Sequence, residues 1–215
     1  MDKNDFIAWA RKLQPTYRMS DATRAHLANV DLVAFVGPTG VGKTAISKRL
    51  NIPQVIGDVT RPVRDGEEPG RDYVFRQDYL EIIRDIKEGV YTQYVISGSN
   101  ELYGTRAQSF PESGPCSMAV IARAMDVFRA MGFRSVKAFY VMPPSYTEWM
   151  KRLSAEGRDD LLSRLNEARE SVSFAADHPD DFTFILNDNL ELAVRDVEAV
   201  LSGGEVDAHL SLIHI

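Results

Sequence analysis

The 215-residue sequence predicts an α/β fold in which a parallel sheet is covered by helices on both faces. Short apolar runs, each typical of a buried strand, alternate along the chain with segments of helical spacing. A glycine-rich turn separates the first of these runs, at 32–36, from the first helical segment, TAISKRL. The length is sufficient for one sizeable core that carries an inserted lobe.

The other elements follow in the same alternation. Further strands are predicted at 53–57, 117–122, 135–141 and 182–186, and helices near 122–131, 145–156, 159–176 and 189–202. Segment 58–106 breaks the alternation because it is polar and rich in glycine, arginine and tyrosine. Since it contains the patterns DYVF and YTQYVIS and a helix candidate at 77–88, we interpret it as an inserted lobe with a small mixed or antiparallel sheet.

Both termini lie outside this core pattern. Residues 1–30 are predicted to be a helical appendage, because apolar residues recur there at helical spacing and Ser20 is placed to cap a short helix over 21–29. The appendage is either a helical cover over the core, which we favour, or a docking arm for a partner. Residues 204–215 follow a glycine pair and are predicted to be a disordered tail.

The composition restricts the partners that we expect. The formal net charge is −6, whereas a nucleic-acid binder needs a basic face. No apolar run approaches the roughly 20 residues that span a bilayer, and the first residues lack the apolar region of a signal peptide. The single cysteine, Cys116, is interpreted as a small buried hydrophobic residue and not as a nucleophile. We expect a cytoplasmic protein with no nucleic-acid or membrane partner, and the oligomeric state is not predicted.

The clearest motif is Gly37-Pro38-Thr39-Gly40-Val41-Gly42-Lys43-Thr44, which matches the phosphate-binding pattern G-x-x-x-x-G-K-[ST]. Its glycines allow backbone N–H groups to face phosphate oxygens, while Lys43 reaches the β- and γ-phosphates and Thr44 offers a hydroxyl to Mg²⁺. The motif therefore predicts that a nucleoside triphosphate, ATP or GTP, binds here with Mg²⁺. The predicted nucleotide-binding residues here are Gly37, Thr39, Gly40, Val41, Gly42, Lys43 and Thr44, with Thr44 also the metal ligand.

A second cluster lies at 59–75, where Arg61 and Arg64 are followed by Tyr73. A guanidinium group is planar and always charged, which suits it to phosphate. Taken alone, the cluster is equally typical of a solvated basic turn.

Together with the P-loop, this cluster resembles the guanylate kinase signature T-[ST]-R-x-x-[KR]-x-x-[DE]-x-x-G-x-x-Y-x-[FY]. Every fixed position matches except the first, where Val59 replaces threonine. The resemblance covers roughly residues 31–200 of the domain predicted at 31–203. Four other family motifs are similar to Leu102–Thr105 (Y-Y-G-[ST]), Pro143–Ser145 (A-P-P-S), Lys151–Leu153 with Arg164–Leu165 (the two ends of the lid), and Asn187–Leu190 (N-D-D-L).

The resemblance implies a P-loop NTPase fold with three parts: an ATP-binding core, an acceptor-binding lobe at 58–106 and a helical lid at 145–170. It implies a nucleotide contact for Asn187 and acceptor contacts for Arg61, Arg64, Glu67, Tyr73, Gln93, Tyr103 and Thr105. Phosphoryl transfer depends mainly on positioning and on neutralising oxygen charge. The implied catalytic cations are Lys43, Arg152, Arg158 and Arg164.

The chain departs from the family where guanine is read. Gly57 replaces a serine, Gln93 is aligned with a glutamate, Thr105 replaces a serine, and Val120 and Ala122 replace two aspartates. A glutamine brings an NH₂ donor towards the N–H groups of guanine, where a carboxylate only accepts. Asp58 is either a replacement acid or a turn residue, and we favour the turn.

The sequence therefore predicts a kinase that transfers the γ-phosphoryl group of ATP to a nucleoside monophosphate, with GMP or dGMP favoured. One alternative is a kinase for a different phosphorylated acceptor. The other is an inactive guanylate-kinase-like module that binds phosphopeptides, against which the complete P-loop and the lid arginines argue.

Overall fold

The computed structural model describes residues 1–155 and 160–205. The chain divides into two compact units. The first, here called the lobe unit, contains Met1–Asp31, Val55–Cys116 and Ala130–Arg134. The second, the P-loop unit, contains Leu32–Gln54, Ser117–Arg129 and the chain from Ser135 onward. Most of the tail predicted at 204–215 lies outside the described residues.

The strands and helices are as follows, in chain order within each class. The strands are β1 Val30–Val36, β2 Asp58–Val59, β3 Val74–Phe75, β4 Tyr91–Ile96, β5 Leu102–Arg106, β6 Gly114–Ala119, β7 Ser135–Met142 and β8 Thr183–Leu186. The α-helices are α1 Lys3–Leu13, α2 Asp21–Leu27, α3 Lys43–Arg49, α4 Tyr79–Lys87, α5 Met125–Ala130, α6 Tyr146–Ala155, α7 Leu161–Asp177 and α8 Leu190–Leu201. No helix in the described ranges is long and apolar enough to cross a membrane.

A four-stranded sheet has the order β6-β1-β7-β8, and β7 pairs with β8 in parallel. This confirms the predicted α/β fold with a parallel sheet and the strands expected at 32–36, 135–141 and 182–186. The strand expected at 53–57 is wrong, because only Gln54 forms an isolated bridge there, to Ser117. Pro53 has no N–H to donate to a ladder, and its carbonyl oxygen accepts the N–H of Ser117 at 2.8 Å.

The core of the P-loop unit lies between this sheet and its helices. Phe35 and Phe139 stack with ring centroids 5.9 Å apart, and both side chains are fully buried. Trp149 and Leu153 of α6 and Ala168 of α7 belong to the same buried cluster. The described parts of the predicted lid region at 145–170 are therefore anchored in the core by apolar side chains.

The lobe unit contains a mixed sheet of order β3-β2-β5-β4, as predicted for segment 58–106. Strand β2 is parallel to β3 and antiparallel to β5, and β5 is antiparallel to β4. Helix α4 begins where the Asp78 side chain accepts the N–H groups of Leu80 and Glu81. Its three isoleucines, Ile82, Ile83 and Ile86, are buried in one cluster with residues of this sheet.

The N-terminal residues form helices, and the buried face of α1 belongs to the lobe unit. Phe6, Ile7 and Ala10 of α1 are buried in one cluster with residues of α4, β4 and β5. The expectation of a cover over the main core is therefore wrong, since apolar periodicity shows that a face is buried without identifying what buries it. The predicted Ser20 cap is confirmed, because its side chain accepts the N–H of Thr23 at the start of α2.

Candidate active site

The predicted phosphate-binding loop lies between β1 and α3, and its shape depends on glycine. Gly37, Gly40 and Gly42 have φ values of +122°, +79° and +99°, in the region that other residues rarely adopt. A Cβ atom at Gly37 would lie 2.4 Å from the Val141 carbonyl oxygen, and one at Gly42 would lie 2.2 Å from Asn187 Nδ2. The loop therefore requires glycine both for backbone conformation and for space.

Lys43 is the first residue of α3, and its ammonium group lies against the loop. Nζ donates to the carbonyl oxygens of Gly37 at 2.5 Å and Pro38 at 2.7 Å. Thr44 follows on an exposed surface of α3. These two residues are thus placed beside the loop as the motif predicts.

Two side chains support the loop from other elements of the P-loop unit. Trp149 Nε1 donates to the Thr39 carbonyl oxygen at 2.8 Å, and Asn187 Nδ2 donates to the Val41 carbonyl oxygen at 2.8 Å. Asn187 was predicted to contact the nucleotide; its amide nitrogen holds the loop, and the nucleotide contact stays a prediction. The support from Trp149 was missed, because an aromatic residue at helical spacing is normally a core residue.

The lid arginines also contact this region. Arg164 Nη2 donates to the Thr39 hydroxyl at 3.1 Å, while Arg152 Nη2 donates to the carbonyl oxygen of Asn187 at 3.1 Å. Arg164 is only 5% exposed and pairs with Asp160 at 3.8 Å. With Lys43, three of the four predicted catalytic cations are therefore anchored at the loop or at its support, whereas Arg158 lies outside the described residues.

A cavity of about 190 Å³ opens beside the loop within the P-loop unit. Gly37 and Lys43 line it, as do Ala119–Arg123 and, from α7, Glu167, Glu170 and Ser171. The apolar Val120 and Ala122, aligned with the missing aspartates, thus form part of the wall. The carboxylates at this cavity come from α7 instead, and the Glu170 side chain lies 3.8 Å from that of Arg123.

Glu167 and Glu170 were missed in the sequence analysis. Residues three apart in a helix share one face, so their spacing was a usable signal. Nothing in the sequence indicated that this face of α7 lines the cavity.

In the lobe unit, Arg61 is at the centre of a cluster of polar and aromatic side chains. Its Nη1 and Nη2 donate to the two carboxylate oxygens of Glu67, both at 2.6 Å, and its Nε donates to the Tyr103 hydroxyl at 3.2 Å. The guanidinium carbon lies 5.1 Å from the ring centroid of Tyr73 and 5.5 Å from that of Phe75. We call Arg61, Glu67, Tyr73 and Tyr103 the arginine cluster.

Charge pairing fixes the protonation states in the arginine cluster. The hydrogen bonds from Arg61 hold the pKa of the Glu67 carboxyl below its ordinary value, so this group is ionised at neutral pH. Arg61 is only 6% exposed, and most of its donors are already used. Arg64 differs, because its guanidinium group is exposed and makes no hydrogen bond or ion pair with the described residues. Of the two predicted arginines, Arg64 is the more accessible to an anion.

Strand register places the predicted base-reading residues beside the arginine cluster. Gln93 of β4 is opposite Thr105 of β5, and Thr105 shares a strand face with Tyr103, two residues before it. The register shifts between Tyr91 and Gln93, so Tyr94 is left on the opposite, α1-covered face. The alignment of Gln93 with the family glutamate therefore fits this geometry.

Asp58 is neither a replacement acid nor a turn residue. It is a residue of β2, 1% exposed, and it accepts from Tyr91 Oη at 2.8 Å, Arg106 Nη2 at 3.2 Å and Arg76 Nη1 at 3.2 Å. Arg76 also pairs with Asp85 of α4 at 2.6 Å. This network joins the sheet to α4, so the role of Asp58 is structural.

Cys116 and the described histidine and acidic side chains provide neither a reactive thiol nor a cluster of metal ligands. Cys116 is fully buried, and burial raises the pKa of its thiol to about 12. Within the described ranges, no group of three or more histidine, cysteine or acidic side chains is arranged to hold a metal ion.

Comparison with known proteins identifies the family. The family model for guanylate kinase matches residues 30–203. The chain is 33% identical to the guanylate kinase of Chlorobium chlorochromatii, over 79% of this chain and 93% of that protein. It is 32% identical to the guanylate kinase of Thermotoga maritima, over 79% and 85% of the two chains.

The fold agrees with this assignment. The structure is similar to a crystal structure of guanylate kinase from Anaplasma phagocytophilum, with a TM-score of 0.56 and 20% sequence identity. The matched part covers 84% of this chain and 88% of that chain. The P-loop unit contains a phosphate-binding loop, the lobe unit contains an arginine cluster, and the chain matches most of the length of its relatives. The chain therefore belongs to the guanylate kinase family and is a phosphotransferase of the nucleoside monophosphate kinase type.

Proposed function

We propose that the protein transfers the γ-phosphoryl group of ATP to GMP or dGMP, and that it does so with Mg²⁺. The observation that carries the proposal is the arginine cluster, in which Glu67 and Tyr103 hold Arg61 beside the exposed Arg64. An ATPase or a GTPase switch has no use for a second, phosphate-binding cluster of this kind.

The donor side of the proposal rests on the P-loop unit. Three glycines with positive φ allow backbone N–H groups to surround phosphate oxygens, and Lys43 lies against the same loop. Arg164 contributes a buried cation at Thr39. Cations fixed at the loop neutralise charge on the phosphoryl oxygens, which is the main catalytic requirement of this reaction.

The residues at the loop fit a magnesium ion. Mg²⁺ binds oxygen ligands, keeps several waters, and is normally held by substrate phosphates with one or two protein groups. Thr44 offers an exposed hydroxyl, and Glu167 and Glu170 line the cavity that Lys43 also lines. When bound, Mg²⁺ would supply positive charge that offsets the negative charge of the phosphate oxygens.

The acceptor side rests on the lobe unit. Arg64 is accessible for the acceptor phosphate, Arg61 is oriented by its two-pronged pair with Glu67, and Tyr73 and Tyr103 lie with ring centroids 6.0 Å apart. An acceptor phosphate is already an anion, so its oxygen attacks without a general base. Gln93 and Thr105 share the strand face of Tyr103, which supports their proposed role in hydrogen-bonding the base.

The test is an acceptor panel. The protein is incubated with ATP, Mg²⁺ and one of GMP, dGMP, AMP, CMP, UMP or dTMP, and ADP is measured. We expect ADP production that depends on GMP or dGMP. Stimulation by another monophosphate instead would reject guanine as the acceptor base. No stimulation by any monophosphate, together with binding of a phosphoserine peptide, would replace the kinase by a binding module.

A further inference from the structure

The N-terminal segment, which precedes the guanylate kinase match at 30–203, holds the hairpin formed by β4 and β5. Gln14 Oε1 accepts the backbone N–H of Ile96 at 2.9 Å, and Arg11 Nη2 donates to Asn100 Oδ1 at 2.8 Å. This hairpin carries Gln93, Tyr103 and Thr105, so the segment holds the strands on which the acceptor residues lie.

Apolar packing makes this attachment part of the fold of the lobe unit. Phe6 and Ala10 are fully buried, and the Tyr94 hydroxyl donates to the Ala10 carbonyl oxygen at 2.9 Å. The Tyr17 hydroxyl donates to the carbonyl oxygen of Tyr91 at 2.5 Å, at the beginning of the same hairpin. Helix α1 is therefore fixed relative to the hairpin on its side opposite Tyr103.

One contact continues from α1 to the arginine cluster. The Lys3 ammonium group donates to one carboxylate oxygen of Glu101, and the Thr60 hydroxyl donates to the other at 2.7 Å. The Thr60 hydroxyl in turn accepts the N–H of Leu102 at 2.9 Å. Thr60 directly precedes Arg61.

The backbone connects Thr60 and Leu102 to the two residues, Arg61 and Tyr103, whose side chains are hydrogen-bonded in the arginine cluster. Thr60 and Leu102 are joined by a second bond, from the N–H of Thr60 to the Leu102 carbonyl oxygen, at 3.2 Å. Their next residues are Arg61 and Tyr103, whose side chains are hydrogen-bonded at 3.2 Å. A shift of Glu101 against Thr60 therefore changes the distance between these two side chains.

Charge explains why Lys3 matters to Glu101. The Glu101 side chain is only 10% exposed, and Lys3 is the cation that pairs with it in the described chain. A carboxylate that loses its cation in such surroundings carries an uncompensated desolvation cost, which favours its movement towards water. Such a movement weakens its hold on the Thr60 hydroxyl.

We propose that Lys3 and Glu101 are positioning residues that act through Thr60 to set the arginine cluster for the acceptor monophosphate. The N-terminal helix is then a working part of the acceptor site, and its removal would impair acceptor binding more than ATP binding. The inference rests on the proposed function, because it takes the arginine cluster to be the acceptor site.

The test compares matched variants of the full-length protein. Lys3→Met removes the charge and keeps the aliphatic stem, Lys3→Arg retains the charge, and Glu101→Gln replaces the charged acceptor of the Thr60 hydroxyl with a neutral, weaker one. Lys12→Met is the control, because Lys12 lies in the same helix, is exposed, and makes no hydrogen bond or ion pair with the described residues. KM for GMP, KM for ATP, kcat, the Kd of GMP and the thermal midpoint are measured for each.

For Lys3→Met and Glu101→Gln we expect KM and Kd for GMP to rise about three- to tenfold, while KM for ATP and kcat stay within about twofold. The double variant should be no worse than either single variant, and Lys3→Arg should recover most of the loss. A role confined to stability would lower the thermal midpoint and leave KM for GMP unchanged, which would overturn the inference.

The two proposals fail in different ways. If the wild-type protein phosphorylates GMP but Lys3→Met matches Lys12→Met in every constant, the positioning role is wrong and the proposed function stands. If the wild-type protein neither binds nor phosphorylates GMP, both are overturned.

Discussion

The pair between Arg61 and Glu67 supports the sharpest mutational prediction, the effect of Glu67→Gln. Glu67 accepts two hydrogen bonds of 2.6 Å from the guanidinium group and a third, at 2.9 Å, from the backbone N–H of Arg64. A glutamine has the same shape but only one acceptor oxygen, so its NH₂ group would face an N–H of Arg61. The substitution therefore removes both the charge and one of the two prongs.

The size of the effect follows from these contacts. A hydrogen bond to a charged group contributes about 1.5–3 kcal/mol, and each 1.4 kcal/mol corresponds to a factor of about ten. If that energy serves to orient Arg61 for the acceptor phosphate, KM for GMP should rise about ten- to hundredfold. KM for ATP should remain within about twofold, because the hydrogen bonds described for Glu67 all lie within the lobe unit.

The assay is steady-state kinetics with GMP varied at saturating ATP, and then the reverse. Glu68→Gln is the matched control, since Glu68 is the adjacent residue and its side chain is 67% exposed in a pair with Arg71. Equal GMP constants for Glu67→Gln and Glu68→Gln would refute the idea that Glu67 orients Arg61 for the acceptor.

Four further predictions concern other parts of the molecule. Arg64→Met should raise KM for GMP at least about tenfold without lowering the thermal midpoint, because its exposed guanidinium group makes no hydrogen bond with the described residues; a lowered midpoint would contradict this. Lys43→Ala should reduce kcat about 100-fold or more, whereas Lys48→Ala on the same helix should leave it unchanged. Cys116 should react with a thiol reagent only after denaturation, because it is buried and its thiol pKa is raised to about 12, and reaction in the native protein would contradict the burial. The pKa of Glu67 is lowered in the folded protein, so its stabilising effect is present above its unfolded pKa of about 4.3 and is lost as the pH falls below that value. The difference in thermal midpoint between wild type and Glu67→Gln should therefore shrink when the pH is lowered below about 4.3.

The phosphate-binding loop could be predicted from the sequence because its constraints are local. Positive φ at Gly37, Gly40 and Gly42 and the position of Lys43 after them follow from consecutive residues. The same holds for the cap at Ser20, where one side chain meets an N–H three residues later.

Features that depend on distant pairing could not be predicted. A register shift between Tyr91 and Gln93 determines which side chains of β4 face the arginine cluster. No turn motif in the sequence indicates this shift. The apolar stripe of α1 predicted a buried face, but the partner of that face, α4 with its neighbouring strands, is more than 60 residues away in sequence. Asp58 was ambiguous for a similar reason, because its partners Arg76 and Arg106 come from other segments.

The most direct test of the central claim is to identify both products of the reaction. ATP and GMP are incubated with Mg²⁺ and the wild-type protein or Lys43→Ala, and the nucleotides are separated and quantified over time. We predict that ADP and GDP appear in equal amounts, only when GMP is present, and only with the wild-type protein. ADP that forms at the same rate without GMP, or the absence of GDP, would contradict phosphoryl transfer to GMP.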